Sequence, residues 1–319
     1  MLAPTLPAQS PFLPGTNIQF AWDSTSLGML KTCPRLYQYV MILGYGESSM
    51  SPHLRFGIEY HSVLQDYDIA KATGTKHKPA MHQAIGKLLS RITDWTPDET
   101  TRAGKYKNPT TLLSLAIDYL DHFADDPAET YILANGKPAV ELSFRFELDW
   151  GPKANPAQPY LLCGHLDRVV TFSDNLFVMD RKTSMSTLSD HYFDQWSPSN
   201  QMTLYTIASQ IIIGSPVKGV ILDAAQVLLE KPNDFKRGIT YRTPEQLEEW
   251  TNDLAYWLNT AEAYAIADYW PMNDTACGMY GGCKFRTICS KSPRTRKAYL
   301  SSDHPQLPPE ERWNPLKER

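Results

Sequence analysis

Three features that mark membrane and exported proteins are missing from the sequence. Its longest apolar run falls far short of the roughly 20 residues that a membrane-spanning helix needs. Its first residues have neither the basic start nor the apolar stretch of a secretory signal. Only five of the 319 residues are cysteine, an odd number that argues against a disulfide framework. We therefore expect no membrane partner and a cytoplasmic protein, bacterial, archaeal or, if viral, in the host cytosol.

An excess of positive charge is missing as well. The chain has 31 lysine and arginine residues against 35 aspartate and glutamate residues, a net charge of −4. This excludes a wholly basic nucleic-acid coat protein but leaves room for a local basic surface. With 42% hydrophobic and 21% charged residues the composition also excludes a disordered or collagen-like chain.

The hydrophobic periodicity is helical in the first part of the chain, then alternating, then mixed. Helices are predicted over residues 24–39 with a break at Cys33-Pro34, and over 61–72, 80–92, 110–123, 199–212 and 245–269. Strands are predicted over residues 140–148, 160–172, 176–182, 217–228 and 238–241. This order predicts an α/β fold, with a central mixed sheet flanked by helices and an α-helical insertion before it. Residues 75–135 carry no motif to which a role can be assigned.

Residues 160–183 predict a β-hairpin that brings two acidic side chains together. If the loop is the two residues Ser173-Asp174, Asp167 lies directly across from Asp180. Any loop of even length leaves Asp167, Asp180 and Lys182 on one face, because side chains alternate along a strand. Facing like charges are destabilising, so we expect a divalent cation such as Mg²⁺ or Mn²⁺ between them, with Lys182 close enough to hold a water molecule. An exposed hairpin with scattered charges is the alternative.

Four short motifs follow one another in a recognisable order. They are G-x-x-x-H at residues 57–61, G-x-x-D at 164–167, D-x-K at 180–182 and Q-x-x-x-Y at 201–205. In this order they resemble the motifs of the RecB-like branch of the PD-(D/E)XK nuclease superfamily. The resemblance implies a restriction-endonuclease-like core and a metal-dependent DNA nuclease. It implies an exonuclease on single-stranded DNA ends more readily than a sequence-specific endonuclease.

The resemblance also implies the ligands of a catalytic Mg²⁺ or Mn²⁺ ion. These are His61, Asp167 and Asp180, with the backbone carbonyl of Arg181 as a further ligand. Glu141 lies on the preceding strand, where such families often carry an acid. Its predicted face is opposite the apolar one, so a metal-binding role and a solvated role both remain open.

Three further side chains complete the catalytic set that the resemblance implies. Lys182 would orient the attacking water and help to deprotonate it. Gln201 and Tyr205, one turn apart on a helix, would steady the core and the nucleic-acid backbone.

Three of the five cysteines, Cys277, Cys283 and Cys289, lie within 13 residues and need a fourth ligand to complete a metal site. Together with the distant Cys33 they resemble the [4Fe–4S] cluster site of RecB-like nucleases, in which one early cysteine and three late cysteines hold the cluster. These nucleases include CRISPR-associated exonucleases and helicase-nuclease subunits. Residues 283–289 match the C-x-[FY]-R-x-x-C pattern of that family, whereas the five residues between Cys277 and Cys283 depart from it. Zinc on four thiolates and unliganded buried cysteines are the alternatives.

Six basic residues and no acid lie between Lys284 and Lys297. Beside a phosphodiesterase site such a segment favours a surface that follows DNA phosphates. An ordinary solvated tail is the alternative.

These patterns predict a simple division of the chain. Residues 1–20 are expected to form a flexible proline-rich arm, residues 21–299 a single RecB-like nuclease domain, and residues 300–319 a C-terminal tail. Within the domain we expect a helical part over about 21–135, a sheet core over about 136–243, and a C-terminal helix with the cluster loop over 244–299.

A rival function belongs to a different class. The chain could be a non-catalytic iron–sulfur module that binds DNA and acts through protein partners in a recombination or CRISPR adaptation complex.

Overall fold

The computed structural model describes residues 9–47, 50–229 and 232–317 of the chain. They form the expected mixed α/β fold, with a central mixed sheet flanked by helices. Residues 1–8 of the predicted arm and 318–319 of the predicted tail lie outside the described residues. The described part of the arm is packed, because Leu13, Ile18 and Phe20 are buried and a β-bridge joins Phe12 to Gln19. Among the described helices, none has the length and apolar character needed to cross a membrane.

Each predicted helix is present in the predicted order, with shifts at its ends, but four short helices over Arg102–Tyr106, Asp190–Asp194, Arg286–Cys289 and Arg296–Asp303 were not predicted. Their bounds are α1 Ser24–Thr32, α2 Pro34–Tyr37, α3 Pro52–Ala72, α4 His77–Ile92, α5 Arg102–Tyr106, α6 Pro109–His122, α7 Asp190–Asp194, α8 Asn200–Ile213, α9 Pro244–Ala267, α10 Arg286–Cys289 and α11 Arg296–Asp303. A π-helical turn over Gln38–Ile42 extends α2, and short 3₁₀ turns lie at Asp274–Gly281 and Pro309–Glu311. The predicted break at Cys33-Pro34 is present, because proline favours the first position of a helix and ends the one before it.

The sheet of the described residues has seven strands. Their bounds are β1 Ala21–Trp22, β2 Glu129–Thr130, β3 Val140–Glu147, β4 Leu161–Phe172, β5 Asn175–Ser184, β6 Val217–Gln226 and β7 Asp234–Thr240. Strand β4 pairs antiparallel with β5, β5 pairs parallel with β6, and β6 pairs antiparallel with β7. Strand β1 pairs parallel with β4. Strands β2 and β3 also pair with β4.

The predicted hairpin register is confirmed. Strand β4 pairs with β5 from Arg168 opposite Met179 to Phe172 opposite Asn175. The two loop residues, Ser173 and Asp174, have φ values of 48° and 59°. Left-handed backbone at both central positions is the signature of the tight turn that matches the twist of paired strands. The turn therefore fixes which residues of the two strands face each other.

The chain divides into two compact units. One comprises residues 1–49, 143–164 and 248–319, and the other comprises residues 50–142 and 165–247. The domain boundaries expected from the sequence stay a prediction.

The second unit has a helical core that explains its helix pattern. In α4 the buried residues Ala80, Ala84, Leu88 and Ile92 recur every four positions and form one apolar face. That face packs with buried side chains of α3 and α6 in one hydrophobic cluster. Helix α6 begins where the Asn108 side chain caps the backbone N–H of Thr111. Helices α3 and α8 both contact the sheet strand β5.

One charged residue is buried in this helical part without a partner. Lys107 is 2% exposed, and its Nζ has no hydrogen-bond partner among the described residues. Nζ lies 4.2 Å from the centroid of the Phe56 ring, a cation–π contact that offsets part of the cost of burial. Burial lowers the pKa of Lys107 to about 7. The native state therefore disfavours the charged form that an unfolded chain carries up to about pH 10.

We predict that Lys107→Met stabilises the protein. Because the folded pKa lies below the unfolded value, the unfolded state binds more protons and native stability falls as the pH drops from about 10 to 7. Replacing the amine should raise the free energy of unfolding by about 2 kcal/mol at pH 6, less than the limit of about 5 kcal/mol that the pKa difference sets. The gain should shrink at pH 9. Urea denaturation at both pH values measures it.

The matched control is Lys105→Met, since Lys105 is exposed on the same short segment. It should change the free energy of unfolding by less than about 0.5 kcal/mol. A Lys107→Met protein no more stable than the unaltered chain at pH 6 would contradict the prediction.

Candidate active site

The hairpin β4-β5 supplies the two acids at the centre of the site. Asp167 on β4 and Asp180 on β5 are 7% and 1% exposed, so neither carboxyl group is freely solvated. The backbone N–H of Arg181 donates to Asp167 Oδ2 at 2.8 Å. The alternative of an exposed hairpin with scattered charges is therefore wrong for these two residues.

Helix α3 brings the histidine of the G-x-x-x-H motif to this hairpin. Nδ1 of His61 lies 3.3 Å from Asp167 Oδ2, and the imidazole side chain is 28% exposed. The sequence predicted that His61 begins a helix, but α3 begins at Pro52, after a Ser51 N-cap that accepts the N–H of Leu54. The prediction missed this earlier start because the preceding turns are only partly buried and lack a clear apolar face.

Glu141 completes a set of three converging side chains. One ligand atom from each of His61, Glu141 and Asp167 lies within 4.8 Å of the other two. Glu141 has a φ of 48°, which is rare for a residue with a side chain. This left-handed residue interrupts the alternation of β3, so the sequence-based assignment of its face does not hold. The metal-binding alternative is therefore the one that the geometry favours for Glu141.

Lys182 lies between an acid and an amide. Its Nζ donates to Asp180 Oδ1 at 3.2 Å and lies 2.8 Å from Oδ2. The same nitrogen donates to Gln201 Oε1 at 3.0 Å. Gln201 Nε2 in turn donates to the Tyr205 hydroxyl at 3.0 Å, one helical turn along α8. The D-x-K strand and the Q-x-x-x-Y helix thus form one continuous chain of hydrogen bonds.

The two aspartates have opposite pKa shifts. Burial alone would raise the pKa of Asp167, but the neighbouring His61 and Lys182 and the N–H of Arg181 hold it well below its usual range. Burial, together with the charge of Asp167, raises the pKa of Asp180 to about 6 despite the adjacent Lys182. Burial would lower the pKa of His61, yet the charge of Asp167 and the hydrogen bond with it together raise that pKa. Asp167 is thus the more strongly ionised of the two acids.

The predicted ligands fall into two groups. His61 and Asp167 lie together with Glu141, whereas Asp180 lies beside Lys182 and is not part of the converging set of the described residues. The side chain of Arg181 donates to Asp68 on α3 at 2.6 Å. Metal ligation by Asp180 and by the Arg181 carbonyl stays a prediction.

The donors fit a hard divalent cation. Carboxylate oxygens and an imidazole nitrogen are ligands that Mg²⁺ and Mn²⁺ accept. Oδ2 of Asp180 is buried, and its one close partner among the described residues is Lys182 Nζ at 2.8 Å, so this oxygen keeps a lone pair for a further ligand. A site with these donors can hold an ion and a water molecule beside a lysine.

The four cysteines predicted to hold a cluster are linked through contacts that involve Asn273 and Arg35. The backbone N–H of Asn273 donates to Cys33 Sγ at 3.4 Å, and Cys277 Sγ donates to the Asn273 carbonyl at 3.9 Å. Cys283 N–H donates to the Cys277 carbonyl at 3.0 Å. Arg35, two residues after Cys33, hydrogen-bonds the thiol of Cys289. These links connect all four predicted cluster ligands.

The spacing of these thiols bears on the kind of metal group. All four are free cysteines, and Cys283 and Cys289 pack against buried Tyr39, Phe285 and Ile288. Around a tetrahedral zinc, with Zn–S bonds of about 2.3 Å, sulfurs lie about 4 Å apart. No three cysteine sulfurs of the described residues come within 4.8 Å of one another. The arrangement is therefore looser than a preformed tetrahedral zinc site.

The comparison with known protein families agrees with this fold. Residues 24–290 match the model of the PD-(D/E)XK nuclease superfamily. Because the match covers most of the chain, the chain belongs to this superfamily.

Solved structures show weaker likenesses. The chain is similar to the crystal structure of a protein named "Putative exonuclease" from Eubacterium rectale, with 12% identity, a TM-score of 0.47, and coverage of 81% of this chain and 86% of that one. It is also similar to the crystal structure of SSO0001, with 14% identity, a TM-score of 0.33, and coverage of 85% and 87%. No curated protein matches the chain.

We predict that Glu141→Gln weakens binding of Mn²⁺ at least tenfold. The amide keeps the size of the side chain but removes the negative charge, and even residues that only orient metal ligands typically contribute tenfold or more. Titration calorimetry or the EPR signal of free Mn²⁺ measures the affinity without reference to activity.

Glu147→Gln is the control for this prediction, because Glu147 is an exposed glutamate at the other end of β3. It should leave Mn²⁺ affinity unchanged. Equal Mn²⁺ affinities for the Glu141→Gln protein and the unaltered protein would remove Glu141 from the metal site.

Proposed function

We propose that the protein is a metal-dependent DNA nuclease that hydrolyses phosphodiester bonds, acting as an exonuclease on single-stranded DNA ends. The observation that carries the proposal is the convergence of His61, Glu141 and Asp167 beside a lysine held by Asp180. Membership of a nuclease superfamily supports the reaction class. The preference for single-stranded ends rests on the RecB-like motifs alone.

In this proposal His61, Glu141 and Asp167 hold a Mg²⁺ or Mn²⁺ ion, with Asp180 and the Arg181 carbonyl as further ligands. When bound, the ion acts as a Lewis acid on the scissile phosphate and stabilises the charge that develops there.

The protein's own groups position the attacking water. Lys182 Nζ has its direction fixed by Asp180 on one side and Gln201 on the other. An ammonium group fixed in this way would orient the attacking water and, through its positive charge, favour the loss of the water's proton. Tyr205, bonded to Gln201, keeps that amide from rotating away from the lysine.

The basic segment 284–297 supports DNA as the substrate. Five of its six basic side chains are exposed, namely Lys284, Arg286, Lys291, Arg294 and Lys297. Arg296 instead donates to the carbonyls of Lys291 and Cys289 and fixes the backbone of the segment. Exposed cations on a fixed backbone bind phosphates and release counterions.

We further propose that Cys33, Cys277, Cys283 and Cys289 hold a [4Fe–4S] cluster with a structural role. The links through Asn273 and Arg35 and the loose spacing of the thiols support a group larger than one zinc ion. Such a cluster would tie the segment after α1 to the segment after α9. The cytoplasmic location and the recombination or CRISPR-adaptation partners stay predictions.

End-labelled DNA tests the nuclease proposal. The purified protein should degrade single-stranded DNA from an end when Mg²⁺ or Mn²⁺ is present, and not in EDTA. Asp180→Ala and Lys182→Ala should each lower the cleavage rate by at least about a hundredfold, the usual contribution of a positioned proton-transfer group. Circular dichroism checks that both variants fold.

Lys218→Ala is the matched control, because Lys218 is an exposed lysine on β6. It should cleave at the unaltered rate. A purified Lys182→Ala protein with full activity would remove Lys182 from the mechanism. DNA binding without cleavage by any metal-loaded protein would instead favour the non-catalytic assembly module.

Iron analysis tests the cluster proposal. Protein purified without oxygen should be brown, with broad absorbance near about 400 nm and about four irons per chain, because thiolate-to-iron charge transfer gives this colour. Replacing any of the four cysteines by serine should lower the iron content and the melting temperature. Cys163→Ala is the control, since Cys163 is buried in β4 and should retain the iron. Colourless protein with one zinc per chain would overturn the proposal.

A further inference from the structure

The segment over residues 185–199, which links β5 to α8, lies against the candidate active site. It contains none of the four family motifs, but its Trp196 ring has its centroid 4.9 Å from Lys182 Nζ. Tyr192 of the same segment is close enough to Asp180 for that charge to add to the effect of burial, which raises the pKa of Tyr192 to about 12. The Trp196 ring of this segment therefore lies over the lysine of the D-x-K strand, and Tyr192 lies within electrostatic reach of the acid.

The position of Trp196 is fixed by an arginine outside the known motifs. Arg242 Nη2 donates to the Trp196 carbonyl at 3.0 Å. The same guanidinium donates to Thr203 Oγ1 on α8 at 2.8 Å and to Thr240 Oγ1 on β7 at 2.7 Å. Arg242 thus joins the tryptophan backbone to the helix that carries Gln201 and to the edge of the sheet.

Strand β7 holds the same segment at two more points. Lys236 Nζ donates to the Leu188 carbonyl at 3.0 Å. The Phe193 ring packs so closely over Gly238 that a Cβ at this position would overlap it. Together with the hydrogen bonds of Arg242, these contacts restrain the position of the segment beside Lys182.

Stability alone does not account for a tryptophan at this position. Its Nε1 is buried and has no hydrogen-bond partner among the described residues. A buried N–H without a partner costs free energy that phenylalanine or leucine would avoid. What the indole ring adds is an electron-rich face for an ammonium group, which tryptophan provides better than any other side chain.

Lys182 needs such a contact because its side chain is long and flexible. Asp180 and Gln201 contact Nζ, and the Trp196 ring lies near the same atom. Without the ring, the ammonium would sample more rotamers and spend less time in line with a bound water.

We propose that Trp196 is a positioning residue for Lys182, and that Arg242 holds Trp196 in place for this purpose. The proposal rests on the proposed function, because its effect on the reaction is exerted through the same lysine. Trp196 does not need to contact DNA for this role.

Single-turnover cleavage of single-stranded DNA tests the effect on rate. Trp196→Leu should lower the rate constant at saturating DNA by about tenfold, because one well-formed cation–π contact contributes about that factor. The DNA concentration at half-maximal rate should change by less than about twofold, since binding of DNA is not affected. Trp196→Phe, which keeps an aromatic face, should recover the rate to within about threefold. Arg242→Gln should lower the rate constant in the same way as Trp196→Leu.

Amine labelling tests the same geometry without catalysis. In metal-free protein treated with acetic anhydride, mass spectrometry of peptides should show Lys182 modified several-fold faster in Trp196→Leu and Arg242→Gln than in the unaltered chain. Exposed Lys218 is the internal standard and should react equally in all of them.

Each outcome decides the proposal. An unchanged rate of Lys182 labelling in Trp196→Leu overturns the proposal. A Trp196→Leu protein that loses activity only through a higher half-saturating DNA concentration also overturns it, because Trp196 would then act by binding DNA. If the unaltered protein cleaves no DNA with any metal, the proposed function fails, and the labelling result alone supports or overturns the positioning role. If Trp196→Leu does not fold, Arg242→Gln and Trp196→Phe supply both measurements.

Discussion

Two buried carboxyl groups on neighbouring strands are the constraint around which the second unit is built. Asp167 and Asp180 repel each other, and neither has enough water around it to screen its charge. Each therefore has its own donors, His61 and the Arg181 N–H for Asp167 and the Lys182 ammonium for Asp180. The opposite pKa shifts follow directly from this unequal support. The repulsion and burial of the two carboxylates destabilise the hairpin on its own, and the contacts from helix α3 and Lys182 offset this destabilisation.

The opposite faces of the same two strands explain how α3 is held. Because side chains alternate, the neighbours of the two acids, Arg168 and Arg181, point away from them. Arg181 and Arg168 lie 2.6 Å and 3.5 Å from the Asp68 carboxylate. Asp68 is two turns after His61 on α3, so one helix contacts the acids with one side chain and the arginines with another. Buried charge on both faces ties the histidine to the strands it serves.

The sequence predicts the local parts of this arrangement and misses those that depend on distant contacts. The hairpin register follows from a two-residue loop and the period of a strand, and residues Lys182 and Gln201 follow from ordered motifs. Glu141 could not be placed, because its left-handed backbone interrupts the alternation on which such reasoning depends. Nothing near Trp196 or Arg242 in the sequence marks them, since only the folded chain brings them to Lys182.

The charges of the groups at the site favour the proposed metal ion. Glu141, Asp167 and Asp180 bring three carboxylates to the site, and Lys182 brings one permanent positive charge. A histidine that binds a metal ion is neutral, so with His61 as a ligand these groups carry a net charge of −2, which is costly in a site with little access to water. In the proposed function one divalent cation would balance this charge, and it would also remove the repulsion that an anionic phosphate meets on approaching the lysine.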